Sequence, residues 1–189
     1  MSSSVKHALT LSAAVCWLGI LAACQTISKE ECAVANWSDL GQRDGQAGYP
    51  ASRIERHAKA CAKAGIAVDS QSYLAARSVG IRSYCTPANG LSVGRSGASY
   101  RNSCPADLEP GFLRTYNAAS KLRRAERSVE SARRRVDSVT DRAFGTDLTP
   151  EQRLNLQREL NDARADLRNA EFDLRRAEIE YQQVRATVA

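Results

Sequence analysis

Cysteine has the widest chemical range of any residue in this chain, and it occurs at positions 16, 24, 32, 61, 85 and 104. A thiolate can attack a carbon, hold a metal or close a disulfide, and its surroundings select among these. Nucleophilic work needs a base nearby, and His7 and His57 are the two imidazoles available. His57 stands four residues before Cys61 in "SRIERHAKACAKAG", where a helix sets it beside the face carrying Ile54, Ala58 and Cys61. Asp44, in "RDGQAG", is the candidate acidic partner, although Asp-Gly serves equally well to turn a chain. Zinc is disfavoured, because the cysteine spacings are long and no C-x-x-C occurs. The glycine-rich stretches "GQRDGQAG" and "GLSVGRSG" lack the Gly-Lys-Ser ending of a phosphate loop and follow no apolar strand. Their three-to-four spacing reads instead as close helix packing. No catalytic residue, metal ligand or cofactor is assigned on these grounds, and His57 reads as a hydrogen-bonded structural histidine.

The compartment decides what the thiols do. The chain opens with Lys6 and His7 and then runs uncharged from Ala8 to Ala23 through Leu9, Leu11, Val15, Trp17, Leu18, Ile20 and Leu21. That is the basic and apolar grammar of a secretory leader, shorter than the roughly 20 apolar residues a spanning helix needs. Leu21-Ala22-Ala23-Cys24 resembles the box at the end of a bacterial lipoprotein signal. Small residues there let a peptidase bind extended backbone, and the thiol that follows takes up lipid. The resemblance implies removal of residues 1–23 and acylation of Cys24. Each buried methylene of such an anchor contributes about 0.8 kcal/mol. Gln25 after the cysteine, rather than Asp, points by the same resemblance to the outer membrane of the cell envelope, on its periplasmic face.

Without Cys16 and Cys24, an even set remains: Cys32, Cys61, Cys85 and Cys104. In an exported chain such a set reads as a disulfide framework with three connectivities open. The sequential pairing, Cys32 with Cys61 and Cys85 with Cys104, is expected because each loop closes within a local helix pair. Each bridge is expected to contribute about 3 kcal/mol. Without Lys6, 26 Lys and Arg face 21 Asp and Glu. This mild excess and the export address argue against a nucleic-acid partner and leave an envelope protein or the peptidoglycan.

The elements that position these residues change character near residue 110. Residues 24–110 carry the four cysteines and the turn-type dipeptides Tyr49-Pro50 and Asn89-Gly90; residues 111–189 are rich in Ala, Arg, Leu and Glu. In the second half, Leu122, Ala125, Val129, Ala132, Val136, Val139 and Ala143 recur in steps of three and four. A matching run goes from Leu156 through Leu160, Ala163, Leu167, Ala170, Leu174 and Ala177 to Tyr181, Val184 and Val188. Such a repeat keeps one seam on one side of a helix. Between the runs, Gly145 stops one helix, while Thr149 as cap, Pro150 and Gln152 start the next, so the pair folds back antiparallel. Glu130 with Arg134 and Glu171 with Arg175 are favourably spaced surface pairs, and the run Arg133-Arg134-Arg135 reads as a solvated face. In the first half, Ser52, Asp69 and Thr86 are candidate helix caps and Gly65 a helix end. The expected fold is all-α: a leader at 1–23, a small disulfide-stapled helical domain at 24–110, and an antiparallel coiled-coil hairpin at 111–189.

Trp37, Gly41, Asp44-Gly45, Gly48, His57, Cys61, the stretch "YCTPANG", Gly94, Gly97, Tyr100 and Cys104-Pro105 together resemble the bacterial lipoprotein family catalogued as domain of unknown function 2799. The likeness covers roughly residues 32–116, with the hairpin as an extension. It implies the address, the domain limits and a helical fold, and it implies no activity. The expected function is that of a lipid-anchored envelope protein with a structural or partner-binding role. An alternative reading groups Trp37, Asp44, His57, Tyr84 and Tyr100 as a pocket for glycan binding or hydrolysis, with aromatic faces stacked on a sugar ring.

Overall fold

The computed structural model describes residues 26–188. The expected leader and the expected acylation site Cys24 lie outside those residues. Seven helices make up the described residues: α1 (Lys29–Val34), α2 (Trp37–Gln46), α3 (Arg53–Ala62), α4 (Ser70–Tyr84), α5 (Pro87–Ser96), α6 (Glu109–Ala143) and α7 (Pro150–Arg185). No strand occurs among them.

Local chemistry starts most of these helices. Ser28 and Glu31 form a capping box on α1, and Thr149 and Gln152 form another on α7. Asn36, Asp69 and Thr86 each accept a backbone N–H at the start of α2, α4 and α5. Ser52 does not act as the cap expected of it. A turn precedes α3, and the carbonyls of Pro50, Ala51 and Ser52 already take the N–H groups of Arg53, Ile54 and Glu55. The side chain is left with nothing to satisfy. Asn89-Gly90, a turn dipeptide by composition, lies inside α5.

Two parallel helix pairs form the head, each drawn together by glycine. Along α2, Gly41 meets the backbone of Tyr73 and Gly45 that of Arg77 and Gly80, and Gly48 just past its end meets the ring of Tyr84, so contacts advance along both helices together. Gly80 of α4 returns the favour against Gln42. Along α6, Gly90 of α5 meets Phe112 and Thr115, and Gly94 meets Tyr116, Ala119 and Ser120. A Cβ on Gly45 would stand 2.5 Å from the Arg77 carbonyl oxygen, and one on Gly94 would stand 2.5 Å from that of Tyr116. Helix backbones approach this closely only where side chains are missing.

Parallel neighbours require the chain to run back the length of a helix between them. Each return is pinned by a disulfide. Cys61, in the return formed by α3, bonds Cys32 of α1 with a Cα separation of 5.6 Å. Cys104, in the return after α5, bonds Cys85 at the end of α4, again with Cα atoms 5.6 Å apart. This is the sequential pairing. Ile27, Cys32 and Cys61, with Trp37 and Leu40 beside them, form one apolar cluster; Ile81, Tyr84, Cys85 and Phe112, flanked by Tyr100 and Tyr116, form the other.

α6 belongs to both parts of the molecule. Phe112, Thr115 and Ala119 are fully buried in the head, and the same helix then runs on to meet α7. Residues 111–123 of the expected hairpin are therefore packed into the head. α6 and α7 lie antiparallel along this stretch and beyond it, with Arg114 donating to Thr187, Lys121 paired to Glu180, Arg133 to Glu171, Arg135 to Asp166 and Arg142 to Glu159. Ala163, Ala170 and Ala177 are buried on the α7 side of the seam against Leu122, Val129 and Val139 of α6. Glu171 reaches across to Arg133 instead of along its own helix to Arg175, whereas Glu130 and Arg134 pair as spaced. All three residues of the arginine run thus have carboxylate partners.

Candidate functional site

The chemistry-bearing residues converge where α2, α3 and α4 meet. Gly41 and Gly45 bring α2 against α4, and that approach sinks Asp44, 6 % exposed, between them. One carboxylate oxygen, Asp44 Oδ2, accepts three hydrogen bonds: from Arg53 Nε at 3.0 Å, from His57 Nε2 at 2.9 Å and from the Tyr73 hydroxyl at 2.7 Å. Arg53 and His57 come from successive turns of α3, and Tyr73 comes from the first turn of α4. A carboxylate can only accept, so Nε2 of His57 carries the hydrogen. His57 and Tyr73 are fully buried and meet edge to face, with ring centroids 5.8 Å apart.

Electrostatics follow from this loading. Burial by itself would lift the Asp44 carboxyl, but the hydrogen bonds from His57 and Tyr73 and the Arg53 charge outweigh it and hold it below its ordinary value. Burial, and then the hydrogen bond to ionised Asp44, push the Tyr73 phenol far above its ordinary range. The network therefore holds a buried anion with donors fixed around one of its oxygens. It also fastens α3, which otherwise touches α1 and α4 only sparsely, onto the α2–α4 pair. Outside it, Tyr49 lies between the guanidinium groups of Arg53 and Arg101, at 3.5 and 4.4 Å from its ring centroid. Arg77 of α4 spans two loops, donating to the carbonyls of Tyr49 at 2.9 Å and Ser103 at 3.0 Å.

Asp44 and His57 are brought together, and the other three residues of the expected glycan pocket are not. Trp37 packs on the Cys32–Cys61 cluster. Tyr84 stacks on Phe112 at 5.2 Å and Tyr100 packs tilted against it at 5.0 Å, and the Tyr100 hydroxyl donates to Glu109 at 2.7 Å while accepting from the Cys104 N–H at 3.0 Å. Their faces are spent on the core. His57, with no exposed surface, has no access to a substrate proton in this arrangement.

Two members of the network, Arg53 and Tyr73, escaped the sequence reading. Arg53 was within reach of it: it precedes His57 by four residues, hence on the same helical face. Tyr73 had no such signal, since only the parallel docking of α4 on α2 brings it to Asp44.

The fold and site define a small, all-helical, disulfide-stapled protein whose polar centre is an ion-pair network rather than an exposed catalytic set. Residues 36–121 match the family model described as "Protein of unknown function (DUF2799)". The matched segment runs from the cap of α2 to the stretch where α6 leaves α5. No curated protein and no solved structure matches the chain.

Proposed function

We propose that this chain is a lipid-anchored cell-envelope protein, tethered through Cys24 to the periplasmic face of the outer membrane, whose hairpin arm binds an envelope partner. The observation that carries the binding role is a set of exposed apolar side chains on the outer face of α7. Leu154, Phe172 and Ile179 are 59, 60 and 61 % exposed. Phe172 follows Leu154 by 18 residues, about five full turns, and Ile179 follows by seven more. All three lie opposite the seam residues Ala163, Ala170 and Ala177. Single exposed apolar residues need no explanation, but three on one face of a 36-residue helix call for one.

The address and the binding role are tested separately. Cys24→Ser is expected to abolish metabolic labelling by a radioactive fatty acid and to move the protein from the membrane fraction to the soluble one. A Phe172→Glu, Ile179→Glu double variant is expected to stay in the membrane fraction, with unchanged helix content, and to lose its crosslinked partners in intact cells. Unlabelled wild-type protein would refute the anchor; undiminished crosslinks in the double variant would refute the docking face.

A further inference from the structure

The second oxygen of Asp44 is the most consequential loose end in the molecule. Oδ2 holds all three donors, whereas Oδ1 accepts no hydrogen bond among the described residues. Asp44 lines a cleft of about 440 Å³ between α1 and α2, together with Thr26, Glu31, Arg43 and the apolar residues Ile27, Val34 and Leu40. Thr26 Oγ1 is buried without a partner. Arg43 makes no ion pair among the described residues.

We propose that this cleft binds a small zwitterion, its primary ammonium donating to Asp44 Oδ1 and its acid group facing Arg43. The charges argue for a zwitterion rather than a plain cation. Arg53 already balances Asp44 from within and Arg43 stands close enough to Glu31 to offset its charge, so a bare cation would bring an excess positive charge, while Arg43, in no direct ion pair among the described residues, can still take an acid. The ionised, largely desolvated Oδ1 calls for a charged N–H donor. Thr26 Oγ1 supplies a further acceptor in the same cleft, and Ile27, Val34 and Leu40 take an apolar substituent. Two sources present this chemistry: a phosphoethanolamine lipid headgroup, and a free amino acid or peptide amino terminus. The cleft's chemistry does not depend on the anchor proposed above.

The test titrates the full chain, purified in a maltoside detergent, with O-phosphoethanolamine, L-leucine and phosphocholine, and follows backbone amide NMR signals. Saturable shifts at Thr26, Arg43 and Asp44 are expected with phosphoethanolamine or leucine, and the tighter of the two identifies the source. Phosphocholine, whose trimethylated nitrogen has no hydrogen to donate, is expected to bind at least tenfold more weakly. Arg43→Gln, at an exposed position, is expected to weaken binding about tenfold without changing helix content. Phosphocholine binding as tightly as phosphoethanolamine, an undiminished response in the R43Q variant, or no saturable shift with either zwitterion would overturn the proposal.

Discussion

Asp44 shows how one buried carboxylate can hold three helices together. Removing one partner from a buried, hydrogen-bonded pair leaves the other uncompensated, at a cost of about 3–5 kcal/mol. Asp44→Asn is therefore expected to lower stability at neutral pH by about 3 kcal/mol, measured by urea denaturation. Its pH dependence gives the sharper check. Because the folded carboxyl is held below its ordinary value of 3.8, its stabilisation is fully present above that value and is lost as pH falls through the folded value. The gap between wild type and the D44N variant should be constant from pH 7 to about 5 and close at lower pH. A gap that widens on acidification would show that the carboxylate is not the stabilising form. His57→Ala removes a fully buried ring and one of the three donors, and is expected to cost about 3 kcal/mol in the same assay.

At the scale of the element, the parallel pairs depend on missing Cβ atoms. Gly94→Ala sets a methyl 2.5 Å from the Tyr116 carbonyl oxygen and 2.7 Å from the Ala119 Cβ. Neither can swing aside, so the variant is expected to lose about 3 kcal/mol by overpacking. Gly111→Ala meets only the Pro87 ring at 3.4 Å and is expected to be neutral or mildly stabilising. A thermal melt of the two variants side by side checks both, and equal losses would contradict the glycine-mediated approach. The same glycines explain where local reading worked and where it misled. Their three-to-four spacing gave away helix packing, because spacing is a property of one helix. Asn89-Gly90 looked like a turn because the dipeptide favours one in isolation; packing on Thr115 and Phe112 rewards a helix there.

For the molecule as a whole, the natural division runs along α6 rather than at its start. Phe112, Thr115, Tyr116, Ala119 and Ser120 meet α5, while Arg114 and Lys121 of the same stretch already reach Thr187 and Glu180, and Glu126 still reaches Arg95 of α5 at 2.8 Å. A chain ending at Arg127 is expected to keep its near-ultraviolet circular dichroism and unfold cooperatively. One ending at Asn117 loses the Ala119 and Ser120 surface beneath Gly94 and is expected to lose both signatures. Equivalent spectra from the two would place the division earlier than the packing does. The disulfides act at this scale too, since each pins a return between parallel helices. A Cys85→Ala, Cys104→Ala double variant is expected to lose about 3 kcal/mol, as for closing a loop of this length.

What could be read from the residues alone was whatever a single helix or a short loop controls. Caps at Asp69, Thr86 and Thr149, the alanine–leucine seam, the short antiparallel turn and the helical class all rest on interactions between residues near in sequence. Each therefore leaves a periodic or positional mark. The direction in which the head helices run past one another left no such mark. Parallel docking of α4 on α2 and of α6 on α5 is settled by backbone approach between segments tens of residues apart. Only that approach buries Asp44, turns Tyr73 toward it and draws Tyr84 and Tyr100 into the core instead of a pocket.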